Sequence, residues 1–123
     1  MLLVEDHPIN QKLALTLLGR QGYAVTVAEN GLEGVACANQ TPYALILMDM
    51  QMPIMDGLEA TRQIRAGTGP NTQTPIIALT ANAMQSDRDA CRAAGMNDFL
   101  SKPFNKQALT ECIARWLRQP TQY

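Results

Sequence analysis

Short runs of apolar residues recur along this 123-residue chain, and each run ends at a turn signal or a polar residue. Ala44–Met48 is the most continuously apolar run, which is typical of a strand covered on both faces. Ala24–Ala28 is short and β-branched, which also favours a strand. The five predicted strands are Met1–Val4, Ala24–Ala28, Ala44–Met48, Ile76–Leu79 and Asn97–Ser101.

The segments between these runs carry apolar residues at helical spacing. In Pro8–Arg20 the apolar positions are Ile9, Leu13, Leu17 and Leu18. Further helices are predicted over Leu32–Ala38, Leu58–Arg65, Asn82–Ala93 and Phe104–Leu117. Strands that alternate with helices in this way are joined by right-handed crossovers. The sequence therefore predicts an α/β fold, a doubly wound (βα)5 domain with a five-stranded parallel sheet between helices.

Composition narrows the possible functions. The hydrophobic content of 46% fits one domain with its own core, and the net charge of −1 gives no support for direct binding of nucleic acid. Three cysteines without metal-type spacing are interpreted as reduced thiols, and a single histidine leaves little material for a zinc site or a catalytic triad. No apolar run approaches the roughly 20 residues of a membrane helix, so we expect a soluble, cytoplasmic domain without membrane contact of its own.

Polar residues follow the predicted strands at the edge where ligands bind in such sheets. Glu5 and Asp6 follow the first strand, Asp49 the third, Thr80 the fourth and Lys102 the fifth. The carboxyl ends of parallel strands form the ligand crevice of an open α/β sheet. Three like charges there repel one another unless a cation offsets them, and a hard ion such as Mg²⁺ or Mn²⁺ prefers carboxylate oxygens.

Asp49 is the candidate nucleophile, because a carboxylate can attack phosphorus and form an aspartyl phosphate. Such a transfer depends mainly on charge neutralisation and positioning, which the cation and Lys102 would provide, while Thr80 could donate its hydroxyl to a phosphate oxygen. Thr80 could instead be a helix N-cap, and Lys102 a surface charge. The glycines form no nucleotide-binding motif, so the phosphoryl group is expected from a donor other than bound ATP.

Four motifs, in order and at domain-wide spacing, resemble the receiver domain of two-component signalling. They are Val4-Glu5-Asp6, Leu47–Pro53 with Asp56-Gly57, Ala78–Ala81 and Leu100–Phe104. The resemblance covers residues 1–118, which leaves 119–123 as a short C-terminal tail. It implies a flavodoxin-like sheet with strand order 2-1-3-4-5, and a monomer or weak dimer.

The resemblance also implies a role for each site residue. Asp49 matches the aspartate that is phosphorylated by a phosphohistidine, and Thr80 and Lys102 match the residues that contact the phosphoryl group. Asp6, Asp49 and the backbone carbonyl of Gln51 match the metal ligands, with Glu5 reaching the metal through water. Thr80 and Phe99 match the switch pair. Phe99 lacks the hydroxyl of a tyrosine, so switching here would depend on packing alone.

Other segments are similar to receivers of hybrid sensor histidine kinases, above all His7–Gln11, Thr80–Met84 and Gly95–Phe99. This implies a histidine kinase and a histidine phosphotransfer domain as partners, with the first helix as a docking face. The domain could then be the cytoplasmic part of a membrane-bound kinase. A stand-alone response regulator that acts by protein binding, a degenerate interaction module and an aspartyl-phosphate phosphohydrolase remain alternatives. The hydrolases usually carry an aspartate where Gln51 stands.

Overall fold

The computed structural model describes residues 1–50, 52, 54–81, 85–101 and 105–117, in which five strands alternate with five helices. The strands are β1 (Leu2–Val4), β2 (Thr26–Ala28), β3 (Ile46–Asp49), β4 (Ile76–Thr80) and β5 (Asp98–Ser101). The helices are α1 (Pro8–Arg20), α2 (Gly31–Gln40), α3 (Gly57–Ala66), α4 (Gln85–Ala94) and α5 (Lys106–Leu117). None of the described helices is long and apolar enough to cross a membrane.

All five strands pair in parallel, in the order β2-β1-β3-β4-β5, so the predicted sheet and its strand order are confirmed. Val4 pairs with Met48, and Asp49 pairs with Leu79. This register matters for function because the residues that end or follow β1, β3 and β4 come out at one level of the sheet.

Alternate residues of the central strands point to opposite faces, as the period of two requires. Buried residues on one face pack with α2, α3 and α4, and those on the other face pack with α1 and α5. The first face includes Val4, Met48 and Ala78. The second includes Leu3, Leu47 and Leu79. The predicted two-faced covering of the sheet is therefore present.

The strand boundaries differ from the predicted ones by up to two residues. β2 begins at Thr26 rather than Ala24, because its partner strand begins at Leu2, which pairs with Thr26. β3 extends through Asp49 and β4 through Thr80, since both residues pair with the neighbouring strand. Hydrophobicity predicts burial, whereas a strand ends where backbone pairing ends. Three predicted features lie outside the described residues: the start of the fourth helix at Asn82, the start of the fifth helix at Phe104, and the tail 119–123.

The apolar residues that predicted α1 do not form its buried face. Ala14 and Leu18 are buried, while Ile9 is 71% exposed and Leu13 is 38% exposed. At 100° per residue, Ile9 and Leu13 lie on a side of the helix turned away from Ala14 and Leu18. The helix is correctly predicted, but part of its apolar pattern belongs to the surface.

Two side chains connect the segments at the amino edge of the sheet by hydrogen bonds, on the side opposite the predicted site. The buried Asn71 amide donates to the carbonyls of Ala38 and Thr41 and accepts from the Tyr43 N–H and the Thr74 hydroxyl. All of its hydrogen-bonding groups are thus used.

The second is Arg65, which donates to the carbonyls of Gly95, Asn71 and Thr72 and to the side chain of Asn97. Desolvation by burial lowers the pKa of this guanidinium from its usual value. Together, Asn71 and Arg65 tie α2, α3 and the loops that precede β3, β4 and β5.

Candidate functional site

Three carboxylates meet at the carboxyl edge of the sheet, where β1 and β3 end side by side. One oxygen from each of Glu5, Asp6 and Asp49 lies within 4.8 Å of the others. Glu5 and Asp49 are buried, at 1% and 4% exposure, whereas Asp6 is exposed. The predicted acid cluster is therefore present, and it combines two buried acids with one that faces solvent.

Local hydrogen bonds hold Glu5 in place. Its backbone N–H donates to Ala28 of β2, its carbonyl accepts from the Gln11 side chain at 2.6 Å, and its Oε2 accepts from the His7 N–H at 3.1 Å. The turn between β1 and α1 is thus folded around this carboxylate.

Thr80 borders the same cleft as the acids. The cleft has a volume of about 190 Å³ and is lined by Glu5, Asp6, His7, Asn10, Asp49, Met50, Leu79, Thr80 and Ala81. Thr80 is the last residue of β4 and is 7% exposed. Its place in a strand shows that the alternative interpretation as a helix N-cap is wrong.

The segment after Asp49 is anchored by close backbone contacts at the start of α3. The Gly57 N–H donates to the Met50 carbonyl, and a methyl group on Gly57 would overlap the carbonyl of Asp49. Asp56 caps α3, because its Oδ1 accepts from the Glu59 N–H at 2.9 Å. The position of Asp49 therefore depends on the absence of a side chain at residue 57.

Ile54 in the same segment has a φ of 72° and is 77% exposed. A β-branched residue in this left-handed region is a genuine outlier, and such strain is concentrated at functional sites. The strain is located next to the acid cluster in the chain, in the loop that connects β3 to α3.

The donor set fits a hard divalent cation. Oxygens on opposite sides of a bound Mg²⁺ are about 4.2 Å apart, so carboxylate oxygens within 4.8 Å of one another are close to the spacing that a shared ion requires. All three groups are carboxylates, the ligands that Mg²⁺ and Mn²⁺ prefer, and the solvent-facing side leaves room for water. The residues present therefore fit such an ion.

The other predicted site residues have different outcomes. Lys102 and Gln51 lie outside the described residues. Phe99 is not among the residues that line the acid cleft. It lines a separate, smaller cleft between α4 and β5, which is also lined by Arg88, Arg92 and Met96. Arg88, which the sequence gave no reason to single out, places its guanidinium carbon 4.3 Å from the centre of the Phe99 ring.

Next to Phe99, Asp98 joins β5 to α5. Its Oδ2 accepts from the Trp116 indole at 2.9 Å and from Arg115 at 2.8 Å, and its Oδ1 accepts from the Phe99 N–H. The Cys112 thiol lies 3.7 Å from the same Oδ2. Burial, followed by the charge of Asp98, raises the pKa of Cys112 to about 12.

A parallel sheet of this order, with acids and a threonine in a cleft at its carboxyl edge, defines a class of doubly wound α/β domain, and comparison with known proteins identifies the family. Residues 1–114 match the response regulator receiver domain. The chain belongs to this family.

Three relatives illustrate the match. Sensor protein GacS of Pseudomonas syringae is 40% identical over 98% of this chain, which spans 14% of that protein. The receiver domain of the Pseudomonas aeruginosa sensor histidine kinase PA1611, solved with magnesium in its active-site cleft, is 47% identical with a TM-score of 0.87, over 94% of both chains. The yeast receiver domain of Ssk1, solved with the phosphotransfer protein Ypd1, is 35% identical with a TM-score of 0.84, over 94% of this chain and 86% of the other.

This chain spans between 3% and 15% of the length of the kinases that it matches first. The likeness therefore concerns one domain of those proteins.

Proposed function

We propose that Asp49 is the phosphoacceptor of this receiver domain. A carboxylate oxygen of Asp49 attacks the phosphorus of a phosphohistidine on a partner protein, the P–N bond breaks, and the imidazole nitrogen keeps the electron pair and takes up a proton. The product is an aspartyl phosphate. The observation that carries this proposal is the convergence of Asp49 with Glu5, Asp6 and Thr80 at one cleft.

Asp6, Asp49 and the backbone carbonyl of Gln51 are proposed to hold Mg²⁺ or Mn²⁺, with Glu5 acting through water. The bound ion would offset the negative charge that gathers on the phosphoryl oxygens. Magnesium in the cleft of the PA1611 receiver supports this assignment. Thr80 donates its hydroxyl to a phosphoryl oxygen, and Lys102 supplies a positive charge. The roles of Gln51 and Lys102 follow from the sequence motifs alone.

The test is phosphorylation of the Asp49→Asn variant by acetyl phosphate and by a phosphohistidine donor. Asparagine keeps the shape of the side chain, so the fold should be retained while incorporation of phosphate falls at least about 100-fold, as expected when a nucleophile is removed. Glu29→Gln is the matched control, because Glu29 is an exposed acid that follows β2 at the same edge and lies outside the cluster. Labelling that persists in Asp49→Asn would refute the proposal.

Asp6→Asn tests the metal assignment separately. We expect the Mg²⁺ concentration for half-maximal labelling to rise at least about tenfold, since one of few charged ligands is lost. Labelling at saturating Mg²⁺ should largely recover. An unchanged Mg²⁺ dependence would exclude Asp6 as a ligand.

We also propose that the partner is a histidine phosphotransfer domain that docks on α1. The complex of the Ssk1 receiver with Ypd1 supports this class of partner. Ile9 is 71% exposed and lies beside Asn10, which lines the cleft, so an apolar partner surface at Ile9 and Leu13 would bring its histidine close to Asp49.

Ile9→Lys should slow phosphotransfer from the aspartyl phosphate of Asp49 to such a domain about tenfold or more, because it places a charge in an apolar contact. Labelling by acetyl phosphate should not change. Leu15→Lys, on another side of α1, is the control and should leave both reactions unchanged. Equal effects of the two variants would argue against docking at Ile9.

In the receiver we further propose that Thr80 and Phe99 form the switch. Thr80 moves toward the phosphoryl group and Phe99 moves into the space that this leaves, which reshapes α4, β5 and α5. Thr80 and Phe99 lie on neighbouring paired strands, with the small Ala78 opposite Phe99. Amide chemical shifts of α4 and β5 that stay unchanged on binding of the phosphoryl mimic beryllofluoride would contradict this switch.

A further inference from the structure

We propose that Arg88 is a positioning residue for Phe99, and that it favours the unphosphorylated state by holding the ring in its outward place. The inference rests on the proposed switch and adds a residue to it. The observation is the guanidinium of Arg88 over the Phe99 ring, at 4.3 Å from its centre. This distance is well inside the roughly 6 Å that defines a cation–π contact.

Phe99 offers few other polar contacts by which its ring could be held. It has no hydroxyl, so the negative face of the ring is its only electrostatic feature. Arg88 contacts that face from α4, whereas the backbone of Phe99 belongs to β5. The contact therefore joins the two elements that the switch is proposed to rearrange.

The ring is held at the surface rather than sealed in the core. Phe99 is partly buried and packs against the cluster that contains Ala78, Cys91 and Met96, while one side borders the small cleft with Arg88. Since Ala78 is opposite Phe99 in the register, the ring has a small neighbour on the side toward Thr80. In the proposed switch, the ring moves in that direction and loses its contact with the guanidinium.

Arg88 has no competing ion pair among the described residues, nor has Arg92, one turn further along α4. The contact of the guanidinium with the Phe99 ring is the interaction that the structure describes for this side chain. Arg92 lines the same cleft and is also exposed, but among the described residues the cation–π contact with Phe99 is made by Arg88. The chain thus provides a matched pair of arginines, of which one contacts the aromatic residue.

The Arg88 contact and phosphorylation are thermodynamically coupled, because each favours a different position of the Phe99 ring in the proposed switch. If the Arg88 contact favours the outward ring, the phosphorylated state must form without it, and removal of Arg88 shifts the population toward the active state. An exposed cation–π contact corresponds to roughly a two- to fivefold change in an equilibrium constant. The affinity for a phosphoryl mimic should rise by this factor when Arg88 is removed.

The experiment is titration of beryllofluoride in the presence of Mg²⁺ into the wild type and five variants. Arg88→Ala should bind roughly two- to fivefold more tightly than the wild type, whereas Arg92→Ala and Arg88→Lys, which keeps a cation, should stay near wild-type affinity. In the Phe99→Leu background, Arg88→Ala should have no further effect. Unchanged or weaker binding by Arg88→Ala, or an effect that persists with Phe99→Leu, would overturn the proposal.

A second measurement does not require phosphorylation. The aromatic NMR signals of Phe99 in the free protein should move in Arg88→Ala and stay in place in Arg92→Ala. If the wild type failed to bind beryllofluoride, the proposed function would be wrong, and these signals would still decide whether Arg88 positions the ring. Identical Phe99 signals in the wild type and in Arg88→Ala would refute it.

Discussion

At the scale of single residues, backbone strain at one position lowers the stability of the folded domain. Ile54 has a backbone conformation that its branched side chain disfavours, and that side chain is mostly in solvent, where it gains little from burial. The loop that carries it begins directly after Asp49. The strained residue therefore places an exposed apolar side chain beside the site.

We expect Ile54→Asn to stabilise the domain by about 1 kcal/mol, because asparagine tolerates the left-handed region far better than isoleucine. Urea unfolding of the two proteins measures the difference. Leu32→Asn, at another exposed apolar position of ordinary backbone geometry, should give no such gain. A loss of stability in Ile54→Asn would show that the conformation is not a source of strain.

Cys112 links stability to alkaline pH. Its pKa is about 12 in the folded protein, against the usual 9.0 of a thiol, because burial and Asp98 disfavour the thiolate. The folded state therefore keeps a proton that the unfolded chain releases. This contribution is complete below pH 9 and is lost as the pH rises toward 12.

Cys112→Ala should lower stability at neutral pH, but its unfolding free energy should decline less steeply above pH 9 than that of the wild type. Urea titrations across this range give the two slopes. The control is Cys37→Ala, which removes a half-exposed thiol from α2. Equal slopes for the wild type and Cys112→Ala would contradict the interpretation.

At the scale of elements, Asp98 fixes how α5 lies against β5. Its Oδ2 accepts hydrogen bonds from the side chains of Arg115 and Trp116 in the last turn of α5, and its Oδ1 accepts from the backbone N–H of Phe99 in β5. Asp98 is only partly exposed, so these charge-assisted bonds are screened less than surface pairs. Any rearrangement of Phe99 acts on the residue beside this junction.

Asp98→Asn should destabilise the domain by about 2 kcal/mol, because an amide cannot accept on both sides and loses the charge. Unfolding followed through Trp116, the sole tryptophan, reports directly on the affected contact. Glu111→Gln removes an exposed acid from the same helix and should cost less than about 0.5 kcal/mol. Similar losses in both variants would show that Asp98 makes no special contribution.

For the whole molecule, the acid cluster couples folding to the cation. Mg²⁺ that binds only the folded state stabilises it by about 1.4 kcal/mol at ten times its dissociation constant. The melting temperature should therefore rise with Mg²⁺ and fall back with EDTA. Asp6→Asn should melt higher than the wild type in EDTA, since repulsion is relieved, and gain less from Mg²⁺. A wild-type melting temperature that does not respond to Mg²⁺ would contradict the metal site.

Much of this architecture could be predicted from the sequence because it depends on periodicity. Apolar runs and helical spacing gave five strands and five helices, and the parallel sheet then placed Glu5, Asp49 and Thr80 at one edge. The exact first and last residues of the strands could not be predicted in this way, because a strand ends where its backbone groups no longer find a hydrogen-bonding partner.

Contacts that depend on tertiary placement gave no sequence signal. Arg88 and Phe99 are eleven positions apart on different elements, and nothing in their spacing puts one over the other. The same is true of Asp98 with Trp116. The exposed side of α1 was hidden because Ile9 and Leu13 look like core residues until their neighbours are known.

The positions of Asn71 and Arg65 predict how mutant alleles of this domain should behave. They close the pole of the sheet that is furthest from the acids, and no residue of the cleft shares their hydrogen bonds. Alleles altered at this pole should be temperature-sensitive yet signal normally at permissive temperature. Alleles altered at Asp49 should fold at every temperature and remain silent, so a screen by heat would separate the two ends of the sheet.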